Sequence, residues 1–377
     1  MSHYFDHAAT TPLRSPALAV WQEYARMTGN PSSIHGAGRA GRRGVEEARE
    51  TIAEAYGVDP PEVIFTSGGT EADNLAVLGI ARARRVADPG RDTVLVSPIE
   101  HHAVLEAAYH LVSEGFTVLA MPVGHDGVVD ADATADLVRA HADDLALISL
   151  MRVNNETGVI QPLESLGALA DQYSIPFHVD AVQGFGPTPG HPAAVALSAH
   201  KTGGPMGVGA LLLRRGTPVS PIGFGGGQEA RLRSGTIPVP LVQGFAAAVR
   251  ETAAGYAGEQ HRLAELSDRL QSILTGAGAE IVGAGVPRSP AITYALFPSC
   301  NGQDLVMILD RQGIEVSTGS ACTAGVPQPS HVLEALGYSE QQALTGLRFS
   351  LGWTTTDADL DALAAALPTA VTQARRV

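Results

Sequence analysis

Cysteine is almost absent from this chain. Its 377 residues include only two cysteines, Cys300 and Cys322. Two thiols are too few for a disulfide framework or for a four-thiolate metal site. Such sparse use is typical of a reducing compartment, and the opening segment MSHYFDHAATTPLR has no charged stretch followed by an apolar one, as a secretory signal would have. We therefore expect a cytoplasmic protein.

Positive charge and long apolar runs are also scarce. The formal net charge is −14, which opposes nonspecific binding to nucleic acid or to anionic membranes. No apolar run approaches the roughly 20 residues that a bilayer-spanning helix needs. Aromatic residues make up 5% of the chain and apolar residues 45%, so aliphatic side chains must build most of a substantial core. We expect a globular protein that binds neither nucleic acid nor membrane.

The usual metal and nucleotide motifs are missing. The chain has 13 histidines, yet it contains no HExxH pattern and no paired cysteine spacing, so we expect no metal site. It also lacks a GxGxxG segment after a first strand and a glycine-lysine phosphate loop of the Walker type. These absences disfavour a hydride-transferring dehydrogenase and nucleoside triphosphate chemistry.

What the sequence does contain is an alternation of strand-like and helix-like segments. Short apolar runs predict buried strands at EVIFT, TVLVS, TVLAMPV, LALISLM, IPFHVD and VGALLLRR. Amphipathic segments predict helices at RRGVEEARETIAEAYG, HAVLEAAYHLVSEG and DADATADLVRAHADD. This alternation predicts an α/β fold with a mostly parallel central sheet flanked by helices.

The pattern changes after Pro240. A long amphipathic helical region, with a candidate break near Gly255, precedes a strand at 291–297, a helix in QDLVMILDRQG, the segment LRFSL and a final helix from about Asp357. We interpret this part as a smaller α+β domain. The predicted division assigns residues 13–255 to a large domain, and residues 1–12 with 256–377 to a small one.

The segment LSAHKTGGPMGVGALLLRR places Lys201 between an apolar run and a glycine-rich stretch. An isolated lysine is usually a solvated surface cation. Glycines beside it, however, let the backbone approach a bulky ligand closely. A lysine in a partly desolvated pocket is what Schiff-base chemistry needs. Lys201 is therefore a candidate catalytic residue.

Polar residues follow several of the predicted strands. Asp180, in FHVDAVQG, is either an ordinary turn or helix-capping residue or a carboxylate that keeps a pyridine nitrogen protonated. The TSGGTEADN turn offers Gly69 and Thr70 at a helix N-terminus, which is a natural phosphate site. His101, in EHHAV, could stack on a planar ring, and Asn155, in VNNETG, could donate to a phenolic oxygen.

The second cysteine stands in an unusual setting. Cys322 lies in STGSACTAGVPQPS, where small residues, glycines and prolines predict an exposed, pliable loop. Free cysteines are more often small buried hydrophobes, and we assign that structural role to Cys300. A thiol on a pliable loop could reach a buried site and then turn outward.

Together these motifs resemble those of the fold-type I pyridoxal-phosphate enzymes, and specifically the NifS/IscS-type cysteine desulfurases of the class V aminotransferase family. The resemblance covers nearly the whole chain. Its motifs follow one another as YFDHAATTPL, GNPSSIHGAGR, TSGGTEADN, EHHAV, VNNETG, HVDAVQ, SAHKTGGPMGVG, GGGQEARLRSGT, STGSACTAG and LRFSLG. One departure is Trp353, which stands where many relatives carry arginine.

The resemblance implies pyridoxal 5′-phosphate as cofactor and a role for each matching residue. Lys201 would carry the cofactor, Asp180 would pair with its ring nitrogen and His101 would stack on the ring. The remaining implied contacts are Asn155 and Gln183 with the ring oxygen, Gly69, Thr70, Ser198 and His200 with the phosphate, Thr236 with the phosphate of a neighbouring subunit, and Arg348 and Asn155 with the substrate. The Thr236 contact implies a homodimer.

The implied reaction removes sulfur from L-cysteine, releases L-alanine and leaves a persulfide on Cys322. The persulfide sulfur would pass to an acceptor protein, such as an iron–sulfur scaffold or a tRNA-thiolation protein. Two other interpretations stay open at this point. One is a related pyridoxal-phosphate lyase or aminotransferase, for instance one that acts on selenocysteine, and the other is a non-enzymatic partner protein with the same fold.

Overall fold

The computed structural model of the chain describes residues 2–319 and 329–375. Its strands are β1 (His3–Tyr4), β2 (Val63–Thr66), β3 (Thr93–Val96), β4 (Thr117–Ala120), β5 (Leu145–Ser149), β6 (Phe177–Asp180), β7 (Ala194–Ser198), β8 (Gly209–Leu213), β9 (Glu280–Ile281), β10 (Ile292–Leu296), β11 (Ile314–Glu315) and β12 (Gly346–Ser350). Its α-helices are α1 (Ser15–Ala25), α2 (Gly36–Tyr56), α3 (Gly69–Ala87), α4 (His102–Val112), α5 (Ala131–Ala140), α6 (Leu163–Gln172), α7 (Val239–Gly276), α8 (Gly302–Asp310), α9 (His331–Ala335), α10 (Glu340–Ala343) and α11 (Asp357–Ala374). Single turns of 3-10 helix lie at Pro60–Glu62, Ala199–Lys201 and Glu229–Arg231.

Seven strands form the main sheet, in the order β2-β8-β7-β6-β5-β3-β4. Only β8 runs antiparallel to its neighbours, while β7, β6, β5, β3 and β4 are mutually parallel. The predicted mostly parallel sheet flanked by helices is therefore confirmed. Because parallel strands end at one edge of a sheet, the carboxyl ends of β5, β6 and β7 lie side by side.

The six apolar runs predicted as strands correspond to β2, β3, β4, β5, β6 and β8, and the structure adds β7. Strand β7 was not predicted because its sequence AVALS is rich in alanine, which is depleted in strands. The structure explains the composition. Val195 and Leu197 join the cluster on one face of the sheet, while Ala194 and Ala196 join the cluster that contains helix α3 on the other. The small residues let α3 approach the sheet closely.

Helix α7 is 38 residues long and continues through Gly255, so the expected break at that glycine is wrong. The helix packs first with the main sheet, through Val242 and Phe245, and later with a second cluster, through Leu266 and Leu270. The division into residues 13–255 and 1–12 with 256–377 stays a prediction.

The strands of the last third of the chain, together with β1, build two smaller sheets. One has the order β12-β10-β9, and the other pairs β1 with β11. After β1 the chain runs to the carboxyl edge of the main sheet, where the Thr11 amide donates to the His200 carbonyl at 3.1 Å. The N-terminal segment thus connects the small sheets with the main one.

Within the described residues, no helix is both long enough and apolar enough to span a membrane.

Candidate active site

A cavity of about 510 Å³ opens at the carboxyl edge of the main sheet. Its walls come from the ends of β6 and β7, the turn before α3, the start of α4 and strand β12. Of the predicted site residues that the structure describes, all except Thr236 line it, namely Gly69, Thr70, His101, Asn155, Asp180, Gln183, Ser198, His200, Lys201 and Arg348. The fold therefore gathers residues that are up to 279 positions apart in sequence, from Gly69 to Arg348.

Lys201 ends the 3-10 turn that follows β7. Its Nζ donates to the carbonyl oxygens of Ala8 at 2.5 Å and Ala9 at 2.8 Å. Burial, with Arg348 nearby, lowers the pKa of this amine from its ordinary 10.5 to about 8. The amine therefore exchanges a proton readily near neutral pH.

Asp180 is the last residue of β6 and is almost fully buried. Its Oδ1 accepts a hydrogen bond from the Val182 amide at 2.8 Å. Burial raises the pKa of Asp180 to about 6, although the Val182 amide and the Lys201 cation both oppose that shift. Asp180 is thus ionised at neutral pH and presents a negative charge to the cavity.

The N-terminal segment forms one wall beside Lys201. The Ala8 carbonyl that accepts from Lys201 also accepts from Gln183 Nε2 at 2.9 Å. The amide of Ala8 in turn donates to Ser350 Oγ at 2.8 Å. Sequence reasoning singled out this segment as a motif, but it did not predict that two of its backbone carbonyls would hold the lysine.

The turn before α3 is built for an anion. Gly68 begins the helix without any side-chain cap, so the first backbone N–H groups face the cavity. A Cβ atom on Gly69 would come within 2.6 Å of Val182 Cγ2, which explains why glycine is required there. Ser198 and His200 line the same cavity, with Ser198 close to Gly69, and burial, with Lys201, lowers the pKa of His200 to about 4.

His101 caps helix α4, its Nδ1 accepting from the Ala103 amide at 3.1 Å. Burial, together with the charges of Lys201 and neighbouring groups, lowers the pKa of His101 to about 4. The ring is therefore neutral at physiological pH. The next residue, His102, is not among the residues that line this cavity, and the centre of its ring lies 4.6 Å from that of His331.

Arg348 projects from β12 and is almost fully buried. Its Nη2 donates to Asp6 Oδ1 at 2.7 Å and its Nη1 to the Asn155 carbonyl at 2.9 Å. Its Nε and the side-chain Oδ1 of Asn155 are buried without a hydrogen-bond partner among the described residues. Buried polar atoms are rarely left unpaired, so these two atoms indicate a place for a ligand. Asp6 was not foreseen from the sequence.

Cys322 lies outside the described residues, but the structure describes the chain on both sides of it, up to residue 319 and from residue 329. Thr318 accepts from the Tyr294 hydroxyl at 2.8 Å, and the Ser330 hydroxyl donates to Glu156 Oε2 at 2.5 Å. Ser317 pairs with Arg348 through backbone hydrogen bonds. The chain therefore leaves for the cysteine segment beside Arg348 and returns from it beside Glu156.

The other two predicted positions lie away from the cavity. Thr236 is exposed on the surface, in the segment before α7. Cys300 is buried, and burial raises the pKa of its thiol. A buried thiol of raised pKa is unreactive, which agrees with the structural role predicted for Cys300.

Comparison with known proteins agrees with this geometry. The family described as class-V aminotransferases matches residues 3–363. An IscS-like cysteine desulfurase of Mycobacterium tuberculosis is 47% identical over 385 aligned positions, covering 99% of this chain and 97% of the relative. The chain belongs to the class-V aminotransferase family.

Solved structures point to one branch of that family. A NifS-like protein has a TM-score of 0.91 and 34% identity, covering 99% of this chain and 100% of its own. SspA, solved in complex with cysteine, has a TM-score of 0.81 and 31% identity, covering 93% of this chain and 99% of its own. Within the class-V family, the similarity is to the cysteine desulfurases, as the sequence motifs predicted.

Proposed function

We propose that this chain is a pyridoxal-phosphate-dependent cysteine desulfurase, which converts L-cysteine to L-alanine and retains the sulfur as a persulfide on Cys322. The observation that carries the proposal is the single buried cavity that combines Lys201, of lowered pKa, with the Asp180 carboxylate and the Arg348 guanidinium. The relatives named cysteine desulfurases support the same activity.

The cavity residues fit pyridoxal phosphate. The uncapped N-terminus of α3, with Gly69, Thr70, Ser198 and His200, suits the phosphate. The Asn155 amide oxygen has no hydrogen-bond partner among the described residues and is free to accept from a ligand, and Gln183 keeps a second N–H for the ring oxygen. Asp180 would face the ring nitrogen, and His101 would cover the ring. When bound, the cofactor supplies an electron sink for the charge left on the substrate's Cα.

Lys201 is the proton carrier of the proposed reaction. Its amine takes the Cα proton of L-cysteine, and a pKa of about 8 suits this transfer at neutral pH. The carbonyls of Ala8 and Ala9 hold the resulting ammonium in place. The same residue then returns a proton to the product.

Arg348 and Cys322 act on the two ends of the substrate. Arg348 binds the carboxylate and has Nε as a donor without a partner among the described residues, while its Nη2 is held by Asp6. The Cys322 thiolate attacks the substrate sulfur. The carbon–sulfur bond breaks, its electron pair stays on the carbon that becomes the methyl group of alanine, and a sulfur–sulfur bond forms on Cys322.

The proposal includes a homodimer, a cytoplasmic location and a sulfur-acceptor protein. Thr236 lies on the surface rather than in its own cavity, which suits a contact with a second copy of the chain. The acceptor is the protein that removes sulfur from Cys322, and an iron–sulfur scaffold and a tRNA-thiolation protein are the two classes to test.

The proposal is tested by adding L-cysteine to the purified chain loaded with pyridoxal phosphate and measuring alanine and protein-bound sulfane sulfur. Lys201→Ala is expected to abolish alanine formation, because no other group takes the Cα proton. Cys322→Ala is expected to keep the cofactor absorbance and to form no persulfide. Sulfide release by Cys322→Ala at the wild-type rate would contradict the proposed mechanism.

Selenocysteine distinguishes the alternative lyase. A selenocysteine lyase would release alanine from selenocysteine, in preference to cysteine, and would do so equally well in Cys322→Ser. A cofactor-free protein with no absorbance band after incubation with pyridoxal phosphate would instead favour a non-enzymatic role.

A further inference from the structure

A second group of titratable side chains is buried behind Asp180, and no step proposed above uses it. Asp73 of helix α3, Glu100 before α4 and His178 of β6 are each at most 1% exposed. Asp73 also lines the cavity that holds Asp180 and Lys201. The inference that follows rests on the proposed function only for the identity of the cavity's ligand.

Strand geometry aligns His178 with Asp180. Residues two apart on a strand point to the same face, so His178 lies one step behind Asp180. Its Nδ1 is 2.9 Å from Ser149 Oγ, and its Nε2 is 3.4 Å from Asp73 Oδ1. The Nε2 atom of His178 and the Oδ1 atom of Asp73 are both buried without a hydrogen-bond partner among the described residues, so each is the nearest polar group that could satisfy the other.

Three carboxylates cannot all be charged in such a place, because each buried charge needs a compensating partner. Asp180 has the Val182 amide and the Lys201 cation. Glu100 has one donor, the Met151 amide at 2.5 Å from Oε1. Among the described residues, the titratable groups that act on Asp73 are Asp180, Glu100 and the His178 ring, and neither of the two acids can compensate a negative charge.

The expected protonation follows from this imbalance. Burial, followed by the negative charges of Asp180 and Glu100, raises the pKa of Asp73 well above its ordinary value. Burial, with the charge of Asp180, likewise raises the pKa of Glu100, while burial lowers the pKa of His178 to about 3. Both raised pKa values favour the protonated acids in the folded chain, and the lowered pKa of His178 favours the neutral imidazole.

We propose that Asp73 is a positioning residue that stands as a neutral acid: it donates its O–H to Nε2 of a neutral His178, whose Nδ1–H is donated to Ser149. Of the three buried acids Asp73, Glu100 and Asp180, Asp180 is then the one that carries a charge. This arrangement fixes the His178 ring behind Asp180. It also spares the Asp180 charge from a like-charged neighbour, so that the full charge is available to the ring nitrogen of the cofactor.

The first test is the pH dependence of stability in the full chain without cofactor, compared with Asp73→Asn. A folded-state pKa that is raised means that wild type is stabilised below the unfolded pKa of Asp73, about 3.9, and loses that stability as pH rises. Asparagine has no such proton. Asp73→Asn is expected to melt at a higher temperature than wild type at pH 7, with the difference closing toward about pH 4.

The opposite result would overturn the proposal. If Asp73 is ionised and paired with a protonated His178, Asp73→Asn melts lower at pH 7 and the loss grows as pH rises. Equal melting temperatures of wild type and Asp73→Asn at every pH would also rule out a raised pKa of Asp73. Should the variant fail to fold, the infrared spectrum of wild type at pH 7 decides, since absence of a protonated carboxylic acid band in the folded chain contradicts a neutral Asp73.

The second test asks whether Asp73 positions the site, with cofactor affinity as the readout. Asp73→Asn keeps a donor for His178 and is expected to bind pyridoxal phosphate like wild type. Asp73→Leu has a similar size but no donor, and it is expected to bind roughly tenfold more weakly, because His178 is left unpaired. Equal affinities of the two variants would show no positioning role. If wild type itself binds no pyridoxal phosphate, the proposed function fails while the melting result stands.

Discussion

At the scale of single residues, the site works by placing charged groups where water is scarce. Burial moves the pKa values of Lys201, Asp180 and His101 toward the range in which protons are exchanged or absent at neutral pH. The pKa shift of Asp180 is opposed by the Val182 amide and the Lys201 cation, and that of Lys201 by the charges of Asp180 and Asp6. The chemistry proposed for this cavity depends on those partners as much as on the residues themselves.

Asp180 gives the most direct prediction at this scale. Its pKa of about 6 means that it loses its charge as pH falls through 6, so cofactor affinity is expected to be full above that pH and to fall below it. Asp180→Asn should remove this pH dependence and weaken binding by on the order of 1.5–3 kcal/mol, the contribution of a hydrogen bond to a charged group. Absorbance titrations with pyridoxal phosphate from about pH 5 to about pH 8 measure both effects.

The variant Ser198→Ala is the control for that titration. Ser198→Ala also removes a cavity residue, but a hydroxyl does not titrate in this range. It is expected to lower affinity and to keep the wild-type pH profile. An acid limb that persists in Asp180→Asn would assign the titration to another group and contradict the role given to Asp180.

The sequence predicted the cavity residues that have side-chain chemistry and a recognisable motif. It did not predict the partners that act through backbone or through charge compensation. Ala8 and Ala9 contribute only carbonyl oxygens, and Asp6 acts by pairing with Arg348. Such roles depend on which segments, distant in sequence, come into contact in the fold, so no local sequence pattern predicts them.

At the scale of secondary-structure elements, a buried ion pair between Arg49 of α2 and Glu229 joins the 3-10 turn at Glu229–Arg231 to α2 and β2. Glu229 accepts from Arg49 Nη2 at 2.7 Å and from the Phe65 amide at 2.6 Å. Glu229, Ala230 and Arg231 all have positive φ angles, of 42°, 53° and 66°, a conformation that non-glycine residues rarely adopt. The two contacts of Glu229 hold this strained turn against β2.

Glu229→Ala is therefore expected to lower the free energy of unfolding by about 3–5 kcal/mol, because it leaves the buried Arg49 charge without its main partner. Glu46→Ala is the matched control. Glu46 contacts the same arginine at 3.1 Å, but its side chain is 53% exposed, so its loss should cost no more than about 1 kcal/mol. Urea unfolding measures both, and equal losses would contradict the importance of burial.

Sequence patterns predicted some of these elements and missed others. Helix and strand periodicity predicted α2, α4, α5 and most of the main sheet, because each buries one face along its length. The alanine-rich strand β7 was missed because its small residues are needed for close packing against α3, and alanine is not typical of strands. The turn at Glu229–Arg231 was missed because its conformation depends on Arg49, 180 positions away.

At the scale of the whole molecule, the glycine-rich segment that contains Thr236 is the candidate contact with a second copy. Hydrogen bonds from Ser234 to the Gly226 carbonyl at 2.9 Å and from the Gly235 amide to Gln228 at 3.1 Å tie the segment into one loop. Phe224, next to it in sequence, is 88% exposed in the single chain. A large aromatic side chain so exposed is typical of a protein–protein contact.

Phe224→Glu is expected to shift the protein from dimer to monomer, because a charge replaces an apolar contact at the interface. It should also weaken cofactor binding, since Thr236 of the second copy is then withdrawn. Val86→Glu is the control, as Val86 is 84% exposed but lies at the far end of α3. Sedimentation with cofactor titration tests the pair, and a monomeric wild type with full cofactor affinity would contradict the dimer proposal.

The central claim is that sulfur from L-cysteine moves to Cys322, and peptide mass analysis tests it most directly. After L-cysteine is added to the cofactor-loaded chain under non-reducing conditions, we predict that the peptide containing Cys322 gains the mass of one sulfur atom, in equal amount to the first alanine released. The peptide containing Cys300 should stay unchanged, and Lys201→Ala should show no gain. Alanine release with unmodified Cys322, or sulfur on Cys300 instead, would contradict the account.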